Sequence, residues 1–397
     1  MEPQNTISFD NLEVAFASKS NNALKKMYLL FATLNNNTLV KVGSALTKFA
    51  LNIHLPIKGI IRNTVYAQFC GGETIEDSEP TIQELAEFNI GTILDYSVEG
   101  ATTEKGFEST AIEIIKTIEK AAVSKHIPFS VFKVTGIAST PLLEKVQSKA
   151  KLTDDEVKAF QGIRERVDRI CGKAHELSVR IFVDGEESWI QDVIDDLVYE
   201  MMEKYNKEQA IVYNTYQMYR HEMLGKLRNA HQLATMKQFY LGAKLVRGAY
   251  MEKERERAAE KGYPDPINPT KEATDNDYNE ALKFCLNNKA RIALCSGSHN
   301  EYSNYYLAVL MDKHGIKRND PNVYFAQLYG MSDNISFNLA KEGFNVAKYV
   351  PYGPIVHVMP YLFRRAEENT SVAGQSSREF TLVKREMERR KNENKAA

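Results

Sequence analysis

The sequence predicts a (β/α)8 barrel of the TIM type carrying an N-terminal helical arm, and three observations lead there. From Gly91 onward, short apolar runs rich in β-branched and aromatic residues alternate with longer amphipathic stretches, eight times in succession. Each short run lacks strict polar alternation, as expected of a parallel strand buried on both faces. The G-x-G-x-x-G turn of a doubly wound dinucleotide fold is absent, and so is a Walker pattern.

The strands are expected at 92–96, 129–134, 179–183, 211–215, 243–247, 291–295, 323–327 and 345–349. Helices are expected at 103–125, 153–177, 189–205, 218–237, 274–287, 301–313, 333–341 and 355–368. Asp154, Asp155, Asp275, Asp277 and Asp333 supply negative charge to the first turns of three of them, where the helix dipole favours it. Residues 252–271 carry Gly262, Pro264, Pro266 and Pro269 among many charges, which predicts a long loop after the fifth strand that covers a site. The chain divides into a helical arm at 1–78, with helices at 24–34 and 42–53, a barrel at 79–375, and a basic tail at 376–397.

Composition narrows the function. Hydrophobic residues make up 43% and charged residues 26% of the 397, enough to bury a core. A net charge of -1 gives no global attraction to nucleic acid. Cys70, Cys171, Cys285 and Cys295 form no CxxC pair and read as free thiols of a reducing compartment, so a cytoplasmic location is expected. No secretory or transit pattern opens the chain, and no apolar run is long enough to span a bilayer. HExxH and G-x-S-x-G motifs are missing, which argues against a catalytic zinc and a serine hydrolase. The tail from Lys384, with its basic residues around Met387, is a candidate for contact with the inner face of an anionic membrane, against the alternative of a solvated or frayed helix.

Barrel enzymes place their chemistry where strands run into the following loops. The polar residues that interrupt the apolar runs there are Lys133, Asp184, Asn214, Lys244, Arg247, His299, Gln327 and Tyr349, with Leu328 beside Gln327. An ammonium inside an apolar strand needs a partner or a ligand, so Lys133 is either salt-bridged, with Asp184 a candidate, or functional. On the last helix, Glu368 lies four residues after Arg364 and three after Arg365, placing it to orient guanidinium forks suited to a planar carboxylate.

At Lys244-Leu245-Val246-Arg247-Gly248-Ala249-Tyr250 the sequence resembles proline dehydrogenase, the FAD-dependent barrel family of proline catabolism, in its monofunctional branch. The resemblance extends through Leu94-Asp95-Tyr96, the Lys133 strand, Asn214-Thr215-Tyr216-Gln217, the segment from Gly262 to Thr270, Ser298-His299-Asn300, Gln327-Leu328-Tyr329-Gly330-Met331, and Tyr361 to Asn369. It implies oxidation of L-proline to Δ1-pyrroline-5-carboxylate, with electrons passed through FAD to a membrane quinone and a separate pyrroline-5-carboxylate dehydrogenase taking the product. By position, the resemblance assigns Arg364, Arg365 and Lys133 to the substrate carboxylate, with Glu368 orienting an arginine. Leu328, Ala249, Tyr250 and Tyr349 would shape the ring pocket, and Asp184 would fix Tyr349. Lys244, Asn214, Val246, Arg247, Gly248, Thr270, Lys271, Ser298, His299, Asn300, Gln327 and Glu368 would serve the flavin. Tyr349 favours plain proline, since hydroxyproline-oxidising relatives resemble this pattern with Ser there. Three other readings remain open: a Schiff-base aldolase using Lys133 or Lys244, a related flavin barrel that reduces a folate, and a non-catalytic binding barrel.

Overall fold

The computed structural model describes residues 7–53, 55–98, 101–371 and 375–396. Eight parallel strands close into one barrel in sequence order: β1 (Ile90–Tyr96), β2 (Phe129–Phe132), β3 (Arg180–Val183), β4 (Val212–Gln217), β5 (Leu241–Val246), β6 (Ile292–Gly297), β7 (Val323–Leu328) and β8 (Val346–Tyr352). β1 pairs with β8 along its whole length, from Ile90 opposite Val346 to Tyr96 opposite Tyr352. The order of the eight apolar runs is therefore the order of the staves, with ends displaced by one to three residues.

Alternation along the strands divides the buried residues into two layers. Ile93, Phe129, Val131, Phe182, Tyr213, Cys295, Ala347 and Tyr349 fill the lumen. Their neighbours Leu94, Val183, Val212, Leu245, Leu294 and Phe325 join the larger core under the outer helices. In the lumen, Phe129 stacks on Phe182 with centroids 4.3 Å apart, and the Arg180 guanidinium lies over Phe129 at 5.5 Å and Tyr324 at 5.6 Å. Arg180 opens β3, so this aromatic plug seals the N-terminal end and leaves polar chemistry to the other end.

Three expectations change. The helix expected from 218 begins at Met223, because Met218 and Tyr219 donate backbone N–H groups to Val246 and Arg247 and so prolong the β4–β5 ladder. The segment expected to be a loop opens as the helix Met251–Lys261, whose Glu, Arg, Lys and Ala residues favour helix; it stops at Gly262 with φ +72°, before the prolines. Asp275 and Asp277 fall one turn deeper than expected, because the helix Lys271–Asn287 starts at the Thr270 cap. A helix at Thr140–Gln147, after β2, was not expected from the sequence.

The arm and the C-terminal segment build a second core on the β7–β8 side of the barrel mouth. The helix Asn21–Leu34 packs against the helix Gln375–Ala396, and Asn37–Asn52 packs against Ile355–Ser371. Leu24, Phe31, Phe69, Val358, Leu362 and Val383 fill the space between them. Tyr66 donates its hydroxyl to the Gly353 carbonyl at 2.9 Å, and Gln68 reaches the Gly330 carbonyl at 2.8 Å. Gly330 has φ +76°, and a Cβ there would lie 2.0 Å from the Gln68 carbonyl oxygen, so only glycine permits this approach.

The C-terminal segment is a helix that packs on the arm through one face. Arg389 and Arg390 both bind the buried Glu386, and Arg390 also donates to the Phe16 and Lys19 carbonyls at 2.9 and 2.8 Å. Lys384, Arg385, Lys391 and Lys395 of the same helix remain exposed. Phe31→Ala removes a ring that is fully buried where arm and tail meet; urea unfolding should show a loss of about 3–5 kcal/mol, whereas exposed Leu46→Ala should change stability by less than about 0.5 kcal/mol.

Candidate active site

At the C-terminal mouth, β3, β5 and β8 bring Asp184, Lys244 and Tyr349 into contact. Lys244 faces the lumen, only 5% exposed. Its Nζ forms an ion pair with Asp184 and donates to the Tyr349 hydroxyl at 2.6 Å. Tyr349 Oη lies 3.4 Å from Asp184 Oδ1, closing a three-membered knot. The ammonium also sits 4.6 Å from the Tyr349 ring centre and 5.3 Å from that of Phe182, so aromatic faces supplement the carboxylate. Burial and the adjacent Asp184 hold the Tyr349 phenol well above its ordinary pKa, so it is neutral.

Lys133 follows β2 directly and opens the short 3-10 turn Val134–Gly136. Its charge opposes the rise that burial imposes on the Asp95 carboxyl at the end of β1, where Asp184 pushes upward as well. The same ammonium and Arg364, from the helix Ile355–Ser371, both act on the Tyr250 phenol, which burial nevertheless raises to about 12. Lys133, Arg364 and Tyr250 therefore share one side of the mouth. Arg365 lies 5.2 Å over the Tyr361 ring and acts on His299, toward the β6 side. Glu368 belongs to the same helix, with its side chain outside the described residues. Leu328 packs beside the lumen core, while Ala249 and Gly248 are exposed in the loop after β5.

A second group of predicted residues clusters around Arg247. Its Nε meets Asp275 at 2.7 Å, and its two terminal nitrogens reach Ser298 Oγ and Ser303 Oγ, each at 2.9 Å. Thr270 caps the helix Lys271–Asn287 and Asn300 caps Glu301–Lys313, so two helix N-termini flank one guanidinium. Lys271 pairs with Asp275 at 2.6 Å. Positive helix ends beside a fixed cation suit a diphosphate. Val246 ends β5 next to Arg247, and Gly248 has φ +131° with the Tyr219 ring 2.5 Å from where a Cβ would stand. His299 is half-buried near Lys348, Arg365 and Arg247, and desolvation with those charges drives it down to about 3. As a neutral ring it accepts the Leu328 N–H at Nε2, 3.4 Å, leaving Nδ1–H to donate to Ser332 Oγ at 2.9 Å.

Two expected flavin contacts are corrected. The Asn214 amide donates to Asp195, 2.9 Å away on the helix Ser188–Tyr205, and its oxygen accepts the Thr215 N–H. Gln327 binds the Ser298 carbonyl at 3.1 Å and accepts from Ser336 Oγ at 2.8 Å. Both face the outer helices; the register sets Asn214 opposite outward Ala243, and Gln327 opposite outward Lys348. They brace the strands behind the site.

Two carboxyls at the mouth were missed. Asp95 ends β1 as Asp184 ends β3, so the same strand-end rule identifies it. Glu186 carries no sequence signal of its own, because its role appears only once β2 and β3 are adjacent. It is 2% exposed and accepts both the N–H of Thr135, at 3.0 Å, and the Thr135 hydroxyl, pinning the turn that starts at Lys133. No group of three or more metal-ligating side chains occurs among the described residues, and the four cysteines are buried and free.

A family model described as proline dehydrogenase matches residues 78–378. The chain belongs to the proline dehydrogenase family. It is 36% identical over 384 residues to mitochondrial proline dehydrogenase 1 of Dictyostelium discoideum, covering 86% of this chain and 67% of that protein. The human mitochondrial proline dehydrogenase 1 is 41% identical over 276 residues, 68% of this chain and 44% of the relative, so the chain spans under half of that protein. A crystal structure of proline utilization A (PutA) from Bdellovibrio bacteriovorus, inactivated by N-propargylglycine, superposes with a TM-score of 0.71 at 19% identity. That match covers 91% of this chain and 38% of PutA, and establishes the shared barrel fold.

Burial raises the Glu186 carboxyl from 4.5 to about 7, against the lowering effects of Thr135 and Lys133. Between those values the folded state keeps a proton that the unfolded state has released, so this group makes folding less favourable as pH rises through that window. Glu186→Gln should abolish that contribution. Its stability relative to the unsubstituted protein should improve on going from pH 5 to pH 8 by up to about 3 kcal/mol, measured by urea unfolding at both pH values.

Proposed function

We propose that this chain oxidises L-proline to Δ1-pyrroline-5-carboxylate with FAD as the resident cofactor, passing the electrons to a quinone at a membrane surface and the product to a separate dehydrogenase. The observation that carries the reading is the placement of Lys133 and Arg364 around Tyr250, with Lys133 one residue beyond the β2–β3 pairing that leads to Asp184 of the Lys244–Asp184–Tyr349 knot. Membership of the family and the Arg247 cluster between two helix N-termini support it.

The small rigid substrate leaves the protein three tasks: hold the acid group, fix the ring and keep water out. Arg364 and Lys133 would hold the carboxylate, and Arg365 adds a third positive charge on the same helix as Arg364. Tyr349, Leu328, Ala249 and Tyr250 wall the ring, so its C–H bond is presented in one orientation. FAD, when bound, supplies the hydride acceptor. Arg247, Thr270, Lys271, Ser298, His299 and Asn300 hold its diphosphate and nucleoside portions, with Val246 and Gly248 beside them. Lys244, ion-paired with Asp184, would stabilise negative charge developing beside it in a site of low dielectric.

The Schiff-base aldolase reading fits less well. A nucleophilic lysine must reach a carbonyl carbon freely, whereas Lys244 Nζ is engaged by Asp184, the Tyr349 hydroxyl and two aromatic faces. The full tyrosine at 349, locked by Lys244, also leaves less room for a hydroxylated ring.

The purified protein should be yellow, and anaerobic L-proline should bleach its flavin absorbance. A colourless protein that borohydride traps as a covalent adduct with a carbonyl substrate would favour the aldolase instead. Arg364→Gln should raise KM for proline roughly 10- to 150-fold with a smaller change in kcat in a dye-linked assay, because it removes a charged hydrogen bond present in both ground and transition states.

A further inference from the structure

Among the described side chains of the helix Asn37–Asn52, the larger apolar ones other than Val40 face outward. Val40 is buried and Ser44, Thr47 and Ala50 are half-buried, on the side that packs toward the helix Ile355–Ser371. Leu39, Val42 and Leu46, spaced i, i+3 and i+7, are 52%, 53% and 61% exposed. Ile53, Leu55 and Ile60 continue the exposed apolar series at 50%, 47% and 67%, and Leu29 on the preceding helix is 66% exposed. An amphipathic helix in water points such residues at a core; here the hydroxyl side faces in and the leucines face out.

Charge is segregated over the same segment. Between Glu13 and Glu73 the sequence has seven basic residues and not one acid, in a chain whose net charge is -1. Lys25, Lys26, Lys41, Lys48 and Lys58 are exposed. Leucines interleaved with lysines match a surface that is apolar below and anionic above. A second copy of the chain fits poorly, because a twofold contact through this face would bring two acid-free, lysine-rich segments together.

We propose that the N-terminal arm docks on an anionic lipid bilayer, with the helix Asn37–Asn52 lying in the plane of the interface. It does not insert across: among the described residues no helix is long and apolar enough to span a membrane. The docking face is also tied to the site. Lys48 Nζ lies 4.8 Å over the Phe363 ring, and Phe363 immediately precedes Arg364. Lipid contact is therefore made on the far side of the helix that carries the arginine pair, which brings the mouth toward a membrane-borne acceptor. This deepens the membrane part of the proposed function, and only the acceptor's approach rests on that reading.

The test is co-sedimentation of the full chain with vesicles of phosphatidylcholine alone and of phosphatidylcholine with phosphatidylglycerol, which separates lipid binding from catalysis. The protein should sediment with the anionic vesicles and much less with the neutral ones. Leu39→Glu/Val42→Glu/Leu46→Glu should lower the partition coefficient at least tenfold, as should Lys25→Glu/Lys26→Glu/Lys41→Glu, while Val123→Glu on another exposed face should bind like the unsubstituted protein. Unchanged thermal unfolding of each variant shows that the loss lies at the surface. Undiminished vesicle binding by the leucine variant overturns the proposal. So does failure of the unsubstituted chain to bind, including the case where light scattering shows a dimer that the leucine variant breaks, which would assign the face to self-association.

Discussion

The structure turns on a buried ammonium. Lys244 stands in the lumen of a barrel whose lower end is closed by aromatic rings, and an isolated charge there would cost several kcal/mol. Asp184 offsets that cost, and the Tyr349 hydroxyl accepts a second N–H hydrogen bond from Lys244. Three strands are thereby tied at one point, and side chains with two or more rotatable bonds become fixed features of the mouth. Removing Asp184 would leave the lysine uncompensated; removing Lys244 would strand a carboxylate near Asp95. The knot is both a structural clamp and the electrostatic floor of the proposed pocket.

Around that floor the charges are sorted. Lys133 and Arg364 lie toward the β2 side with Tyr250, while Arg365 and Arg247 lie toward the β6 side with His299. Glu186 fixes the turn at Lys133, and two helix N-termini frame Arg247. The mouth thus offers a cationic region for a small acid group and another for a diphosphate. The arm and the C-terminal helix close against β7 and β8 behind the arginine helix, so its position depends on the second core as well as on the barrel.

Most of the barrel was legible because a parallel strand buried on both faces must be apolar throughout, and eight such runs have few other ways to be arranged. Strand ends were less legible: the β4–β5 ladder runs past its apolar residues, so Met218 and Tyr219 read as helix. The same limit explains Asn214 and Gln327. A strand-end polar residue can face the lumen or the helices, and one position of register decides between them, which composition does not reveal. Glu186 was invisible for a different reason, since its partner Thr135 is 51 residues away. In the tail, charge pattern alone did not separate Arg389 and Arg390, which Glu386 and distant carbonyls answer, from Lys384, Arg385, Lys391 and Lys395, which stay exposed. In the arm, periodicity located the helices but not the direction of their apolar faces.

The account requires that positive side chains at the mouth bind a carboxylate. Calorimetric titration of the flavin-loaded protein should therefore compare tetrahydrofuran-2-carboxylate, a proline-shaped acid with no amine to oxidise, with its neutral carboxamide. The account predicts binding of the acid and a loss of roughly 10-fold or more in affinity for the amide, with that preference reduced in Arg364→Gln. Equal affinity for acid and amide would contradict it.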